Sequence, residues 1–235
     1  MEGKITNIET MGLVDGPGMR LVLFLAGCNL RCLYCHNPET WTDNKSNRKI
    51  TPEEVLKMFN KYKVYYGETG GVTFSGGEPL IQNEFVLECV KLLKKNGIHV
   101  ALDTAGGVED KYDEILDLVD LVILDIKAVK EDEYKYITGQ TMDNFNKFLK
   151  SLIEKNKKLW LRQVIVPGIN DDEAHVLLLK NFASKLKNVE RIELLPYHTM
   201  GIKKYNELQI KYRLEGVPAM DREKCKNLEK LLKNQ

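Results

Sequence analysis

Leu21-Val-Leu-Phe-Leu-Ala-Gly-Cys28-Asn-Leu-Arg-Cys32-Leu-Tyr-Cys35 joins an apolar run to a loop that carries three of the chain's five cysteines. The run from Leu21 to Ala26 has strand length and no polar residue, the pattern of a strand covered on both faces in a parallel sheet. Three thiols so close together, in the loop that leaves such a strand, can curl around one soft-metal centre and aim their sulfurs inward. An odd cysteine count with three crowded into one loop suits metal binding in a reducing compartment better than a disulfide framework.

The same succession of strand, polar turn and helix recurs outward from this point. Runs rich in apolar and β-branched residues lie at Gly71 to Phe74, His99 to Leu102, Leu121 to Leu124, Leu159 to Val166 and Arg191 to Leu195. Stretches of helical spacing lie at Pro52 to Tyr65, Glu84 to Lys95, Asp113 to Leu118, Asn144 to Glu154 and Asp172 to Leu186, with a last one at Asp221 to Lys233. Thr51 ahead of Pro52 and Glu54 supplies a hydroxyl acceptor, a first-turn proline and a capping-box acid. Alternating strands and helices predict an α/β fold with parallel strands and right-handed crossovers. Six units predict a partial (β/α)6 TIM-like barrel, with a doubly wound open sheet as the alternative. No composition shift marks a boundary, so a single domain over 1–235 is expected, with its core from about residue 14.

Every predicted strand ends in polar, Gly or Pro residues: the Cys28 loop, Ser75-Gly76-Gly77-Glu78-Pro79, Asp103-Thr104, Asp125-Ile126-Lys127, Val166-Pro167-Gly168 and Pro196-Tyr197-His198. Parallel barrels gather their active-site residues on this face. Three cysteines on a four-iron cluster leave one iron without a protein ligand, which is an open coordination position. The alternatives are structural zinc, with His36 or a distant Cys as fourth ligand, or an electron-carrying ferredoxin, which supplies four Cys per cluster. Cys89 and Cys225 fall within helical stretches and read as packing residues. The paired glycines 76 and 77 let backbone approach a ligand closely. No Gly-Lys-Ser/Thr follows them and no Gly-x-Gly-x-x-Gly opens a helix, so triphosphate chemistry is disfavoured.

Asp125 and Lys127 lie two apart on one side of a strand, where they can meet a zwitterion or form a plain salt bridge. His198 stands where an imidazole can bond an adenine or ribose, or serve the structure alone. The turn Asp15-Gly16-Pro17-Gly18 shapes the approach to the first strand or faces a substrate. The 35 Lys and Arg nearly balance the 34 Asp and Glu, so no general field gathers nucleic acid or an anionic membrane. No apolar run nears the ~20 residues of a membrane span, and MEGKITNIET lacks the apolar core of a secretion signal. A cytoplasmic protein with no nucleic-acid or membrane partner is expected.

CxxxCxxC after the first strand, with Tyr34 before the third Cys, together with Gly-Gly-Glu-Pro, resembles the radical S-adenosylmethionine (SAM) superfamily. Val14 to Arg20, Cys28 to Trp41 (CNLRCLYCHNPETW), Leu124 to Lys127 and Leu194 to His198 are similar to its glycyl-radical activating enzymes. Several of those carry a Cys-rich ferredoxin-like insert. Residues 36–76 here contain no Cys, which looks like the short pyruvate formate-lyase type. The resemblance implies a partial (β/α)6 barrel with a [4Fe-4S] cluster on Cys28, Cys32 and Cys35. It implies SAM held by Tyr34, Cys35, His36, Gly77, Asp125, Ile126, Lys127 and His198, with Gly77 at the methionine amino group and His198 at the ribose or adenine. A monovalent cation beside Asp103, Thr104 and Asp125, and contact of Asp15 and Arg162 with a partner's glycine loop, are implied as well. The activity implied is that of an oxidoreductase of anaerobic metabolism. SAM is cleaved reductively to methionine and a 5′-deoxyadenosyl radical, which takes hydrogen from a glycine of pyruvate formate-lyase without any side-chain acid or base. A flavodoxin or ferredoxin reductant and a monomeric state are expected. The alternatives are the activation of another glycyl-radical enzyme, such as anaerobic ribonucleotide reductase, or, from a different class, a zinc or electron-transfer protein.

Overall fold

A computed structural model describes residues 1–42 and 47–233. Among the described residues eight strands form one sheet: β1 (Gly3–Gly12), β2 (Arg20–Leu25), β3 (Arg48–Ile50), β4 (Gly71–Gly76), β5 (His99–Thr104), β6 (Leu121–Asp125), β7 (Leu159–Ile165) and β8 (Val189–Pro196). The spatial order is β3-β1-β2-β4-β5-β6-β7-β8, and β2, β4, β5, β6, β7 and β8 pair in parallel, each with the next in that series. A doubly wound sheet reverses its strand order at a switch point. Along its parallel strands, β2-β4-β5-β6-β7-β8, this one never does, so each crossover between them advances the winding one way and the sheet curls into a barrel. No pairing joins β8 back to β2 among the described residues, so the barrel is partial.

The six parallel strands are the ones the apolar runs predict. β1 and β3 are additions, antiparallel to their neighbours, so the sheet is mixed at one edge rather than wholly parallel. β1 is polar along much of its length and half exposed, and β3 has three residues; neither carries an apolar period to read.

Among the described residues eight α-helices accompany the strands: α1 (Pro52–Tyr66), α2 (Asn83–Lys95), α3 (Asp113–Leu118), α4 (Glu131–Thr138), α5 (Asp143–Glu154), α6 (Glu173–Ala183), α7 (Ile202–Glu207) and α8 (Arg222–Lys233). Thr51 caps α1 as its sequence predicts, accepting from the Glu54 amide while the Glu54 carboxylate accepts from the Thr51 amide. Asp172 caps α6 by accepting from the His175 amide at 2.7 Å. The short helices α4 and α7 lie outside the stretches of helical spacing and are additions to them.

Strand periodicity divides the core in two. On one face, Leu21, Leu23, Leu25, Val72, Phe74, Leu102 and Leu124 are fully buried under the helices in the main apolar cluster. Each such Leu or Phe contributes about 1.5–3 kcal/mol by leaving water. On the other face, Ala101, Leu121 and Ile123 form a separate small cluster against Trp160. Two residues further along the same face of β5, β6 and β7 come Asp103, Asp125 and Arg162. The barrel interior is therefore plugged by apolar side chains at one end and lined by charges towards the strand C-termini.

Candidate active site

At the strand C-termini lies a cavity of about 390 Å³. Its walls include Cys28, Cys32, Tyr34, Cys35 and His36 from the loop after β2, Gly76 and Gly77 after β4, Asp103 and Thr104 on β5, Asp125 and Lys127 at the end of β6, and Asp15. Eleven of the fourteen residues marked from the sequence thus meet in one place. The three outside its walls are Ile126, Arg162 and His198. Ile126 is fully buried, packs in the main core, and donates its amide to the Arg162 carbonyl at 2.7 Å. His198 is exposed, its ring edge-on to His36 at 4.3 Å between centroids. Arg162 bonds Glu193 at 3.2 Å and the Val14 carbonyl, so it tethers the loop that carries Asp15.

The cysteine loop is held from several sides. Its amides at Arg31 and Leu33 donate to the carbonyls of Thr138 and Ile137, the otherwise unpaired last turn of α4. The Tyr205 hydroxyl, on α7, donates to the Cys35 carbonyl at 3.0 Å, and Trp41 packs edge-on to the same ring. All five cysteines are free, and Cys89 and Cys225 are buried in α2 and α8, away from the cavity. Burial, reinforced by the charge of Glu78, pushes the Cys28 thiol up to about 12; burial pushes Cys32 up to about 11 and raises Cys35. Empty of metal, the loop carries neutral thiols at pH 7, and a bound metal would displace their protons. Among the described residues no three His, Cys, Asp or Glu groups are gathered closely enough to share one metal ion. Cys28, Cys32 and Cys35 nevertheless line one cavity, a donor set that fits an iron-sulfur cluster, in which each sulfur binds a different iron.

Asp125 and Lys127 do meet, Nζ to Oδ2 at 2.6 Å, in the cavity wall rather than at the surface. Burial opposes the Lys127 charge most, but the Asp125 carboxylate and its hydrogen bond, together with Tyr34 and Cys32, outweigh it and hold the ammonium well above its usual range. The Lys127 ammonium also lies 5.7 Å from the centre of the Tyr34 ring. Asp125 Oδ1 and the Tyr34 hydroxyl are buried without a hydrogen-bond partner. Orphaned polar atoms are costly in a finished core, so two of them on one cavity wall fit a site built for a polar ligand.

Glu78, which sequence reasoning left without a role, braces the floor. It is 1% exposed and accepts from Thr104 Oγ1 at 2.6 Å, the Ala105 amide at 3.0 Å and the Leu80 amide at 3.2 Å, tying the loop after β4 to the loop after β5. This contact commits the Thr104 hydroxyl. Burial pushes Glu78 from its ordinary 4.5 up to about 7, against those hydrogen bonds, and pushes Asp103 from 3.8 up to about 6, against the Arg162 charge. Both carboxyls hold protons more tightly folded than unfolded, so their contribution to stability is greatest at low pH and falls as pH rises through about 4 to 7. Glu78→Ala strands three buried donors and is expected to cost about 2–4 kcal/mol at pH 5. Melting curves of the metal-free protein should show the wild-type advantage narrowing at pH 8; an advantage that widens with pH contradicts the protonated brace.

A second buried brace is Arg20, fully buried at the opposite end of β2. It donates to Thr73 Oγ1 at 2.6 Å, to the Val72 carbonyl at 2.7 Å and to the Pro17 carbonyl at 3.0 Å, while Thr73 Oγ1 donates to the Asp15 carbonyl at 2.7 Å. Burial raises the Asp15 carboxyl, opposed by Arg162 and Arg20. A charged residue heading an apolar strand gives no sequence sign of this role.

Residues 22–179 match the family model described as the Radical SAM superfamily. The chain is 51% identical over 232 residues to a pyruvate formate-lyase-activating enzyme of Clostridium pasteurianum, covering 98% of this chain and 97% of that protein. It is 43% identical over 234 residues to the enzyme of the same name from Staphylococcus epidermidis, covering 96% and 93%. Among solved structures, a domain of a pyruvate formate-lyase-activating enzyme from Bacteroides vulgatus superposes with a TM-score of 0.56 at 25% identity, over 70% of this chain and 93% of that one.

Proposed function

Because this chain belongs to the radical SAM superfamily, among its pyruvate formate-lyase-activating enzymes, we propose that the cavity at the strand C-termini is where it cleaves SAM to raise a glycyl radical on pyruvate formate-lyase. The observation that carries this reading is the meeting, in one cavity, of three thiols, a side-chain-free Gly-Gly wall and the Asp125–Lys127 pair. When bound, a [4Fe-4S] cluster supplies the electron that cleaves SAM to methionine and a 5′-deoxyadenosyl radical.

Cys28, Cys32 and Cys35 hold the cluster. Asp125, through its unpartnered Oδ1, and Lys127 take opposite charges of the methionine moiety, and Gly77 lets backbone approach its amino group. The Tyr34 hydroxyl and the His36–His198 pair face the adenosine, and Cys35 closes that side. Ile126 contributes by anchoring Asp125 and Lys127 from the core. Asp103 and Asp125, with Thr104 through its main chain, offer oxygen to a monovalent cation. Asp15, on the loop tethered by Arg162, faces the partner's glycine segment. No side chain is needed as acid or base; these residues position reactants and exclude water. The chain acts as one domain over 1–235, as a cytoplasmic monomer reduced by a flavodoxin or ferredoxin. No helix among the described residues is long and apolar enough to cross a membrane.

The test is electron paramagnetic resonance of the anaerobically reconstituted, reduced protein mixed with SAM and pyruvate formate-lyase. A glycyl doublet with matching 5′-deoxyadenosine is the expected result. Cleavage without a doublet would assign a different substrate, such as anaerobic ribonucleotide reductase.

A further inference from the structure

The cysteine loop has an outer side as well as a cavity side. Cys28, Leu30, Cys32, Tyr34 and Cys35 line the cavity, whereas Arg31 is exposed. Its guanidinium folds back on the loop, donating to the Cys28 carbonyl at 2.6 Å and the Leu30 carbonyl at 2.8 Å, and lies 5.1 Å over the Trp41 ring. Arg213, also exposed, donates to the Arg31 carbonyl at 3.1 Å and the Tyr136 carbonyl at 3.3 Å. The Tyr136 side chain is 58% exposed beside it. Neither guanidinium has a carboxylate in ion-pairing distance among the described residues, although the chain as a whole is nearly neutral. Two arginines without an ion-pairing carboxylate, on the outer main chain of a three-thiol loop and with an exposed tyrosine beside them, form a local cationic face of the composition that interfaces favour.

We propose that this face, centred on Arg31 and Arg213, docks an acidic one-electron carrier protein. The proposal rests on the cluster reading of Cys28, Cys32 and Cys35. In each encounter the carrier loses one electron and the centre held by the three cysteines gains it, across main chain that Arg31 itself bonds. The occupant is chosen by charge and by place: the face is cationic, and it adjoins the thiols on the side away from the cavity. The protein substrate must instead reach the cavity, where Asp15 lies.

The test uses the reconstituted holoprotein, an acidic flavodoxin as probe, and the variants Arg213→Glu and Arg213→Lys. Wild type should bind the flavodoxin with an affinity that falls as salt rises, and stopped-flow reduction of the cluster by photoreduced flavodoxin should follow it. Arg213→Glu should lose roughly tenfold in both and much of the salt dependence, Arg213→Lys should retain most of each, and Arg31→Gln should weaken flavodoxin binding in the same direction. Photoreduced 5-deazariboflavin, which needs no docking face, should reduce Arg213→Glu and Arg213→Lys at the wild-type rate and support the same glycyl-radical yield. An unchanged flavodoxin affinity in Arg213→Glu would overturn the proposal. So would a glycyl-radical yield lost even with deazariboflavin, which would assign this face to the protein substrate. Failure of the functional reading looks different: wild type itself would take up no cluster, or would cleave no SAM with deazariboflavin.

Discussion

Cys32→Ala is expected to fold, to bind no intact four-iron cluster and to cleave SAM at background level. In the metal-free protein Cys32 is a buried, neutral thiol, so its loss removes little more than one small packing atom, about 1 kcal/mol. In the loaded protein it is one of three ligands with no substitute. Cys89 and Cys225 are locked in α2 and α8, and neither lines the cavity. His36 does line it, but it follows Cys35, four residues from Cys32, and the loop between them is held by the Ile137 carbonyl at Leu33, so its imidazole does not replace the Cys32 thiol without loosening that loop. Iron content, the visible absorption of the reconstituted protein and the yield of 5′-deoxyadenosine should all fall together, while the metal-free melting temperature changes little. The same measurements on Cys89→Ala should show full iron and full cleavage with a lowered melting temperature. A Cys32→Ala protein that still carries a full cluster would end the assignment of these ligands.

Gly77→Ala is expected to be nearly as damaging by a different route. A Cβ on Gly77 would stand 2.2 Å from the Gly27 carbonyl oxygen and 3.1 Å from the Cys28 Cβ. Both obstacles belong to the approach to the cysteine loop, and the closest is backbone. The two segments are also bonded to each other there, the Gly77 amide to the Leu25 carbonyl at 3.0 Å and the Glu78 amide to the Gly27 carbonyl at 2.9 Å. Accommodation requires the loops to part, weakening two buried hydrogen bonds and shifting Cys28 relative to Asp125. Overpacking and the weakened bonds together cost about 2–4 kcal/mol. A displacement near 1 Å costs on the order of 10²-fold in rate. Calorimetry should show the lowered melting temperature, and SAM cleavage normalised to iron content should show the loss of rate. Gly67→Ala is the control. Gly67 has φ +58 and ψ −149 but open space around it, so only local backbone strain is expected, about 1–3 kcal/mol, with cleavage intact. Equal rates per iron in the Gly77→Ala and Gly67→Ala proteins would show that the close approach does not position the site.

The parallel strands are legible because each is a short apolar run bounded by polar or glycine turns, and the residues at their C-terminal ends mark a site in the sequence alone. Thr51 announced its helix for the same local reason: the three residues that cap α1 sit within one turn of one another. β1 was not legible, since its partners are β2 and β3, and much of its surface remains in water. α4 escaped because eight residues opening with three acids show no apolar period, although its last carbonyls support the cysteine loop. The helical reading of Asp172 to Leu186 ran beyond α6, whose last turns loosen after Ala183.

By itself the sequence determined what depends on residue type and near spacing: the three thiols of one loop, the diglycine turn, the winding of strands and helices, and membership of the radical SAM superfamily. Tertiary structure alone decided what depends on meetings across long separations. It joined Glu78 to Thr104, Arg20 to Thr73, Arg162 to Val14 and Arg213 to Arg31, and it set Ile126 in the core while Asp125 and Lys127 face the cavity. The physical reason is that a hydrogen bond or ion pair is a relation between two positions in space, and only the closure of the sheet, driven by burial of its two apolar layers, brings residues tens of positions apart within 3 Å of each other.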